Sequence, residues 1–599
     1  MTSAMALLDV IVIALYFAVV IGAGVYFSKK ASRDLRSYFL GDKKMHWLVL
    51  AMSGAVSNFD VTGTMWMVSV LYLLGMKSWW HHWMWGVMLP AFGLAYMAKW
   101  VRKSGVITGA EWMKTRFGED GGGKAARAMY AVMAVITCTS FIGYAFQGIG
   151  KFATVYIPLE LLADWSPVIK PLVTTYQPKT LAVLVLGITT LYVIMGGLFG
   201  VVVTDVIQTV VLTLAGILIV GIAFVKVTPE VAAQVAPSSW SSWLPVWRIP
   251  EFHGTPNASY EMFGLLTIVW VIKGLFLNAG GPGQLYDFQR YLAARSPADA
   301  SKLAAAWPFF LVVRWAMVAA IVMLALAGVG QVSDPEMVMP AVLREYLPAG
   351  LRGLVIAGLL AAFMSTFSST ANSGASYIIK DIWQPLFGKT SDERSLVRMS
   401  YLATAAIVVA GMVVGWFADS IASIWGWIMM ALGAAVIVPN LLRWYWWRIN
   451  GWGYATGMAA GILLSILPLV RPGLPVYLTF PVICAGSLLA VVAASYLTEP
   501  TDRATLKSFY AEVRPFGAWG KISRDVAAVP DGGRGGESGG EAWRPVLNTL
   551  IAVAGITGLY LAPMYLVGHW YLQTSAWLFV SVTSAVILYY TWYRRLGED

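Results

Sequence analysis

The chain has 599 residues, of which 58% are hydrophobic and 12% are charged, and its mean hydropathy is +0.68. This composition excludes a soluble globular domain and indicates a polytopic membrane protein whose main partner is the lipid bilayer. The formal net charge of +11 does not predict a nucleic-acid partner, because Lys and Arg concentrate in short connections between apolar runs. Composition leaves the oligomeric state open.

Apolar runs of membrane length recur along the whole chain and predict an all-α protein with about 15 transmembrane helices of ~20 residues each. The first run has no basic segment before it and no small-residue cleavage site after it, so we interpret it as a retained span. The runs lie near 7–27, 46–73, 79–99, 126–150, 179–197, 203–225, 262–283, 306–330, 350–379, 398–416, 420–442, 455–470, 476–498, 546–567 and 573–594.

Basic segments at the ends of these runs predict how the chain crosses the membrane. A single orientation places six of them in the cytoplasm, with the N-terminus outside and the C-terminus inside, as expected for a bacterial-type plasma (inner) membrane protein. They lie at 28–37, 99–118, 289–296, 380–398, 443–450 and 593–599. The longest polar stretch, 499–545, contains GGRGGESGG and has the composition of a flexible cytoplasmic linker.

Two sets of five helices are predicted within this arrangement, and because five is odd the second set is inverted relative to the first. Segments 53–64 (SGAVSNFDVTGT) and 278–284 (NAGGPGQ) are polar, Gly-rich interruptions in the leading helix of each set, and such paired breaks indicate a binding site. The predicted organisation is 1–45 (accessory helix and basic loop), 46–226 (first repeat), 227–261 (extracellular loop), 262–442 (second repeat), 443–498 (accessory helices), 499–545 (linker) and 546–599 (two extra helices).

A hydroxyl cluster lies within the apolar segment Gly353–Asp381, where Ser365, Thr366, Ser368 and Ser369 fall close together. Hydroxyl groups in lipid need partners, and an ion stripped of water supplies them. Oxygens from side chains and unwound backbone suit Na⁺, so we expect Na⁺ alone as the bound metal and no transition metal. The hydroxyls could otherwise bond back to their own helix.

Asp60 places a carboxylate in the first interruption, beside Asn58 and Thr62. It could coordinate sodium, pair with a substrate amine or hydrogen-bond a sugar hydroxyl, since an intramembrane acid is a functional hypothesis by default. The alternative is a structural ion pair with Lys273 or Arg314, each near the middle of its apolar run; Lys273 is also a candidate for the substrate pocket.

Other polar residues in apolar surroundings have two interpretations each. Asp205 could neutralise a cation or cap the helix that it begins. Gln147 could face the substrate path or bond a neighbouring helix. Asn278 and Gln284 flank the second interruption and are candidates for the substrate pocket.

No catalytic pattern emerges from the remaining residues. His81 and His82 are adjacent, so they point in different directions on a helix, and with four nearby Trp residues they indicate an interfacial belt. Walker A and HExxH patterns are absent, and the GxSxG match GESGG at 536–540 lies in the polar, Gly-rich stretch and not between a strand and a helix, so neither an ATP-driven pump nor an enzyme is expected.

Four stretches, most specifically 347–383, resemble the sodium:solute symporters, a family that includes sodium-coupled sugar, proline and sialic acid transporters. They are GGLFGVVVTDVIQTVVL (196–212), DFQRYLAARSPADASK (287–302), LPAGLRGLVIAGLLAAFMSTFSSTANSGASYIIKDIW (347–383) and GAAVIVPNLLRWYWWRINGWG (433–453). The resemblance covers roughly residues 5–500 and implies a LeuT-type 5+5 inverted-repeat core with extra N- and C-terminal helices.

The same resemblance implies sodium ligands. One site would take the carbonyls of Val56, Phe59 and Ala362 and the hydroxyls of Ser365 and Thr366. A second site, present in some members, would take Asp205, Ser368 and Ser369, which leaves one or two sodium ions per cycle open.

The sequence therefore predicts a sodium-driven symporter that imports a small organic solute by alternating access. A sugar or polyol is favoured, and an amino acid or carboxylate is the alternative. Two rival functions are a proton-coupled transporter of the same fold and a membrane sensor that does not transport.

Overall fold

The protein is almost entirely helical in the part that the structure, a computed structural model, describes. Those residues are 5–31, 45–103, 106, 108–157, 159, 166, 167, 169–237, 239–281, 285–329, 332–387, 393–471, 473–527 and 543–596. Two isolated bridges, Met45 with Ala294 and Trp446 with Ala518, are the only extended pairings within these ranges.

The first half of the chain begins with an outer helix and continues into a set of helices that starts with a broken one. Its helices are α1 (Leu7–Ala31), α2 (Trp47–Ser57), α3 (Val61–Leu74), α4 (Trp79–Trp83), α5 (Leu89–Phe92), α6 (Ala98–Lys103), α7 (Trp112–Phe117), α8 (Gly121–Thr154), α9 (Ile169–Val173), α10 (Gln177–Lys226) and α11 (Pro229–Val235).

The second half begins with α12, which ends at the second interruption, and closes with additional helices. These are α12 (Phe263–Ala279), α13 (Leu285–Ala293), α14 (Pro297–Leu324), α15 (Val338–Tyr346), α16 (Leu351–Tyr377), α17 (Gln384–Phe387), α18 (Glu393–Trp416), α19 (Ile421–Gly426), α20 (Gly433–Tyr445), α21 (Gly451–Leu464), α22 (Leu467–Val470), α23 (Val476–Leu497), α24 (Arg503–Val513), α25 (Gly520–Ala527), α26 (Trp543–Val567) and α27 (Tyr571–Thr591).

Both predicted interruptions fall where helices end. α2 stops at Ser57 and α3 begins at Val61, with a bend of 60° between Trp47–Ser57 and the helical run Val61–Lys103. α12 stops at Ala279, where Gly280 caps it and Gly281 has φ of +122°, a conformation that a side chain would strain. The backbone polar groups freed at such breaks are available to a ligand.

The structure does not confirm the predicted number of membrane-spanning helices. Ten helices in the described ranges are long and apolar enough to cross a membrane, or 11 with the broken pair, so the prediction of about 15 is not confirmed. One difference is physical: the runs 179–197 and 203–225 belong to one continuous helix, α10, because the sequence joining them contains glycines but neither proline nor a charged cluster.

The predicted flexible linker is partly folded, which corrects the prediction for its first half. The segment from α24 to α25 buries apolar side chains that include Phe509 and Trp519, and the Trp519 indole donates to the carbonyl of Trp444 at 2.8 Å. The guanidinium of Arg116 lies 4.9 Å from the centre of the Trp519 ring. The polar composition of the stretch concealed these few large side chains; residues 528–542, which hold GGRGGESGG, lie outside the described residues.

α1 is attached to the core by one buried carboxylate. Asp9 accepts hydrogen bonds from the backbone N–H groups of Gly350 (2.7 Å) and Gly353 (2.8 Å), at the N-terminus of α16. It also pairs with Arg352 at 2.7 Å. These contacts satisfy donors that the first turn of a helix leaves free, so α1 fixes the start of the helix that carries the hydroxyl cluster.

Candidate functional site

The break between α2 and α3 is organised by the carboxylate of Asp60. Its Oδ2 accepts from the backbone N–H of Gly63 at 2.6 Å, which caps α3, and its Oδ1 lies 3.4 Å from Nη2 of Arg314 on α14. Arg314 also donates through Nη1 to the carbonyl of Asn58. The guanidinium thereby bonds both a backbone group freed by the break and the carboxylate beside it.

A cavity lies next to this pair. Five of its 13 lining residues are aromatic, and the walls come from both halves of the chain, with polar groups at the break; the lining residues are Asn58, Asp60, Gly63, Trp66, Met67, Gly86, Phe141, Tyr144, Leu311, Arg314, Trp315, Thr366 and Trp425.

The aromatic wall was not predicted from the sequence. The Trp425 ring centre lies 5.3 Å from that of Trp66 and 4.9 Å from that of Tyr144. Trp425 belongs to the six-residue helix α19, whose first backbone N–H groups at Ile421 and Ala422 donate to the carboxylate of Glu336. The chain has 28 Trp, so composition gave no means of choosing the three that line the cavity, Trp66, Trp315 and Trp425.

The first predicted sodium site lies where α16 meets the break. The Thr366 hydroxyl donates to the carbonyl of Ser57 at 2.6 Å and lies 3.1 Å from the carbonyl of Ala362. The Val56 carbonyl accepts from the N–H of Phe59 at 3.0 Å, within the same turn. α16 therefore brings a hydroxyl to the C-terminal end of α2, as the resemblance implies.

Ser365, predicted for that first site, lies in a different environment. Its hydroxyl donates to Oδ1 of Asp205 at 2.6 Å and lies 3.0 Å from the Ser57 hydroxyl. Ser369 also lies 3.2 Å from the Ser57 hydroxyl. Ser368, by contrast, bonds back to the carbonyl of Ser365 at 3.1 Å, on its own helix.

Two predicted pocket residues have structural partners away from the cavity. Gln147 donates to the carbonyls of Gly415 and Ala418, both at 2.7 Å. These contacts correspond to the second interpretation of Gln147, in which it bonds a neighbouring helix. Lys273 is fully buried with Nζ 4.7 Å from the centre of the Trp270 ring, and it does not line the cavity.

The other predicted polar residues are distributed around the breaks. Thr62 lines a smaller adjoining cavity with Asp60 and Thr366, and its hydroxyl has no hydrogen-bond partner within the described ranges. Asn278 donates to the carbonyl of Gly274 at 2.8 Å at the end of α12. Gln284 lies outside the described residues.

His81 is buried rather than interfacial. Its ring is 1% exposed and packs among the rings of Tyr260, Phe263 and Trp270 at centroid distances of 5.2 to 5.7 Å. The predicted belt position is therefore wrong for His81, because the helices around it supply more aromatic cover than a sequence window shows. The side chain of His82 is outside the described part of the structure.

Arg290 and two serines are site residues that the sequence analysis did not identify. Ser53 and Ser57 lie one turn apart on α2 and both contact Arg290 of α13. The serine spacing within the polar segment 53–64 was an available signal. Arg290 belongs to a basic segment that charge counting assigned only to membrane orientation.

Comparisons with known proteins agree with this arrangement. The model of the sodium:solute symporter family matches residues 172–461. The chain is 25% identical over 501 residues to a sodium/glucose cotransporter of Vibrio parahaemolyticus (78% of this chain, 86% of the relative) and 25% identical over 576 residues to sodium/myo-inositol cotransporter 2 of Bos taurus (83% and 77%).

A solved structure has the same fold. It is the substrate-bound outward-open state of a Na⁺-coupled sialic acid symporter, with a TM-score of 0.61 at 19% identity over 83% of this chain and 99% of that one. The LeuT-type architecture is thereby confirmed. The matched family and relatives are transporters, which agrees with the absence of catalytic motifs.

Proposed function

We propose that the chain, whose residues 172–461 match the model of the sodium:solute symporter family, is a symporter of that kind that imports a small, neutral polyhydroxy solute with Na⁺ as the coupling ion. The observation that carries this proposal is the position of Thr366. Its side chain lines the cavity, and its hydroxyl reaches the Ser57 carbonyl at the end of α2. The proposed ion ligand and the proposed solute pocket thus share one side chain, which provides a physical basis for coupling.

The residues at the end of α2 fit Na⁺. The predicted ligands Val56, Phe59, Ala362 and Thr366 offer only oxygen atoms, and the Thr366 hydroxyl donates its proton to a carbonyl, so its lone pairs face away from that bond. When bound, Na⁺ supplies roughly 2.3 kcal/mol per 100 mV of membrane potential. The chain's own contribution is to join α2 and α16 through this hydroxyl.

The charge balance of the cavity favours a neutral solute. Asp60 and Arg314 pair with each other, so neither is an uncompensated charge that would select an ion. Their outer polar atoms can hydrogen-bond hydroxyl groups, while Trp66, Trp315 and Trp425 offer flat apolar faces to a sugar or polyol ring. Relatives named for glucose and myo-inositol support the same class.

The proposed membrane arrangement follows from the basic segments. We infer an inner-membrane protein of bacterial type with the N-terminus outside and the C-terminus in the cytoplasm. α13 and the folded segment α24–α25 then lie on the cytoplasmic side, and the repeats comprise 46–226 and 262–442.

A thermal-shift screen of purified protein tests this function. Sugars, polyols, amino acids and carboxylates are added in Na⁺ or in K⁺, because a ligand that binds only the folded state raises the melting temperature. We expect Na⁺ alone to raise it and a sugar or polyol to raise it further only with Na⁺. A shift caused by acid and not by Na⁺ would favour the proton-coupled rival, and an amino acid shift would reject the neutral solute.

A further inference from the structure

Asp205 lies at the centre of a closed polar cluster in the core. Its side chain is fully buried, and it accepts hydrogen bonds from the hydroxyls of Ser365, at 2.6 Å, and Ser53. These residues come from three elements, α10, α16 and α2. The cluster surrounds one carboxylate with hydroxyl oxygens. Oxygen ligands with a negative charge are those that a hard cation prefers.

A side chain of the protein already occupies this cluster. Arg290 of α13 is 1% exposed, and its Nη2 lies 3.7 Å from Oδ2 of Asp205. Its Nε donates to the Ser53 hydroxyl at 3.1 Å, and its Nη2 donates to the hydroxyls of Ser57 and, at 3.0 Å, Ser369.

The guanidinium uses the same oxygens that a second sodium ion would need. A buried carboxylate requires a compensating charge, and Arg290 supplies it together with donors matched to the serine hydroxyls. A sodium ion at this position would face a fixed positive charge at hydrogen-bonding distance from its own ligands. The residues therefore do not fit a second ion while Arg290 is in place.

We propose that Arg290 is the tethered cation of the Asp205 cluster, so that the protein binds one Na⁺ and not two. This inference rests on the proposed sodium coupling and specifies its stoichiometry. Removing the guanidinium leaves Asp205 with four serine hydroxyls around it, and the cluster then becomes a sodium site.

Equilibrium binding of radioactive Na⁺ to purified protein, with K⁺ as competitor, tests the stoichiometry. The variants are Arg290→Gln, Asp205→Asn, and the double variant that removes both charges. Arg127→Gln is the matched control, because it also breaks an Arg–Asp pair with a buried carboxylate (Arg127 with Asp381, 2.8 Å), and neither residue contacts the Asp205 cluster.

The expected counts are one Na⁺ per chain for wild type, Asp205→Asn, the double variant and Arg127→Gln, and two for Arg290→Gln. Two ions in wild type, or one in folded Arg290→Gln, would overturn the tethered-cation assignment. If Arg290→Gln does not fold, the comparison of wild type with Asp205→Asn still decides the question. A second Na⁺ that binds to wild type but not to Asp205→Asn would overturn the tethered-cation assignment. No bound Na⁺ in wild type would instead reject the proposed function.

Discussion

Substitution of Gly63 by alanine is the sharpest perturbation of the solute cavity. An added Cβ would lie 2.5 Å from Oδ1 of Asp60, 2.8 Å from Nη2 of Arg314 and 2.9 Å from the hydroxyl of Tyr144. Real Cβ atoms do not approach other heavy atoms so closely, so the ends of these three side chains must shift, which displaces the contact between Asp60 and Arg314. The cavity would lose its charge balance without losing any polar group.

The expected magnitude follows from the cost of overpacking. Inserting a methyl group into a packed site costs about 1 to 3 kcal/mol, which corresponds to roughly 5- to 150-fold weaker solute binding if the cost falls on the bound state. Gly221→Ala is the control, because nothing lies within 4 Å of its Cβ position. The assay is Na⁺-dependent solute binding by calorimetry.

Gly63→Ala with wild-type solute affinity and an unchanged melting temperature would refute this reasoning. It would mean that the Asp60–Arg314 pair is not part of the solute site. A lower melting temperature with unchanged affinity would assign the pair to stability alone.

Three other predictions concern the ion site and the attachments of the core. Thr366→Val should abolish the sodium-induced rise in melting temperature, while the lost hydrogen bond should lower the free energy of unfolding by only about 1 kcal/mol. Thr366→Ser should retain the rise. A sodium response in the valine variant would contradict this prediction. Asp9→Ala should lower the free energy of unfolding by about 3 to 5 kcal/mol in chemical denaturation, because Arg352 loses its carboxylate partner. Glu119→Ala, which breaks an exposed ion pair, is the control and should leave the free energy of unfolding unchanged. Trp519→Ala should release α25 and expose it to limited proteolysis, with Trp543→Ala, an exposed position, as the control that stays resistant.

The membrane class, both breaks and the hydroxyl helix were predictable because each depends on local sequence. An apolar run dictates a helix in lipid, and the polar, Gly-rich segments 53–64 and 278–284 interrupt two of them visibly. The fold followed from the resemblance of 347–383 and the inverted order of the helices.

The details of the site were less predictable because they depend on which side chains meet across distant helices. Arg314 was one of two candidate partners for Asp60, and only the packing of α14 against the break selects it over Lys273. Ser365 was predicted for the first sodium site, and its hydrogen bond to Asp205, on a helix distant in sequence, was not foreseen. Arg290 was treated as an orientation signal because its burial depends on α13 folding back onto α2.

Uptake of radiolabelled glucose and myo-inositol into proteoliposomes under an inward Na⁺ gradient tests the central claim most directly. The account predicts that at least one of the two solutes accumulates above its external concentration, and that replacement of Na⁺ by K⁺ or dissipation of the gradient abolishes this accumulation. Accumulation that persists without Na⁺, or that requires only an inward proton gradient, would contradict sodium-coupled symport.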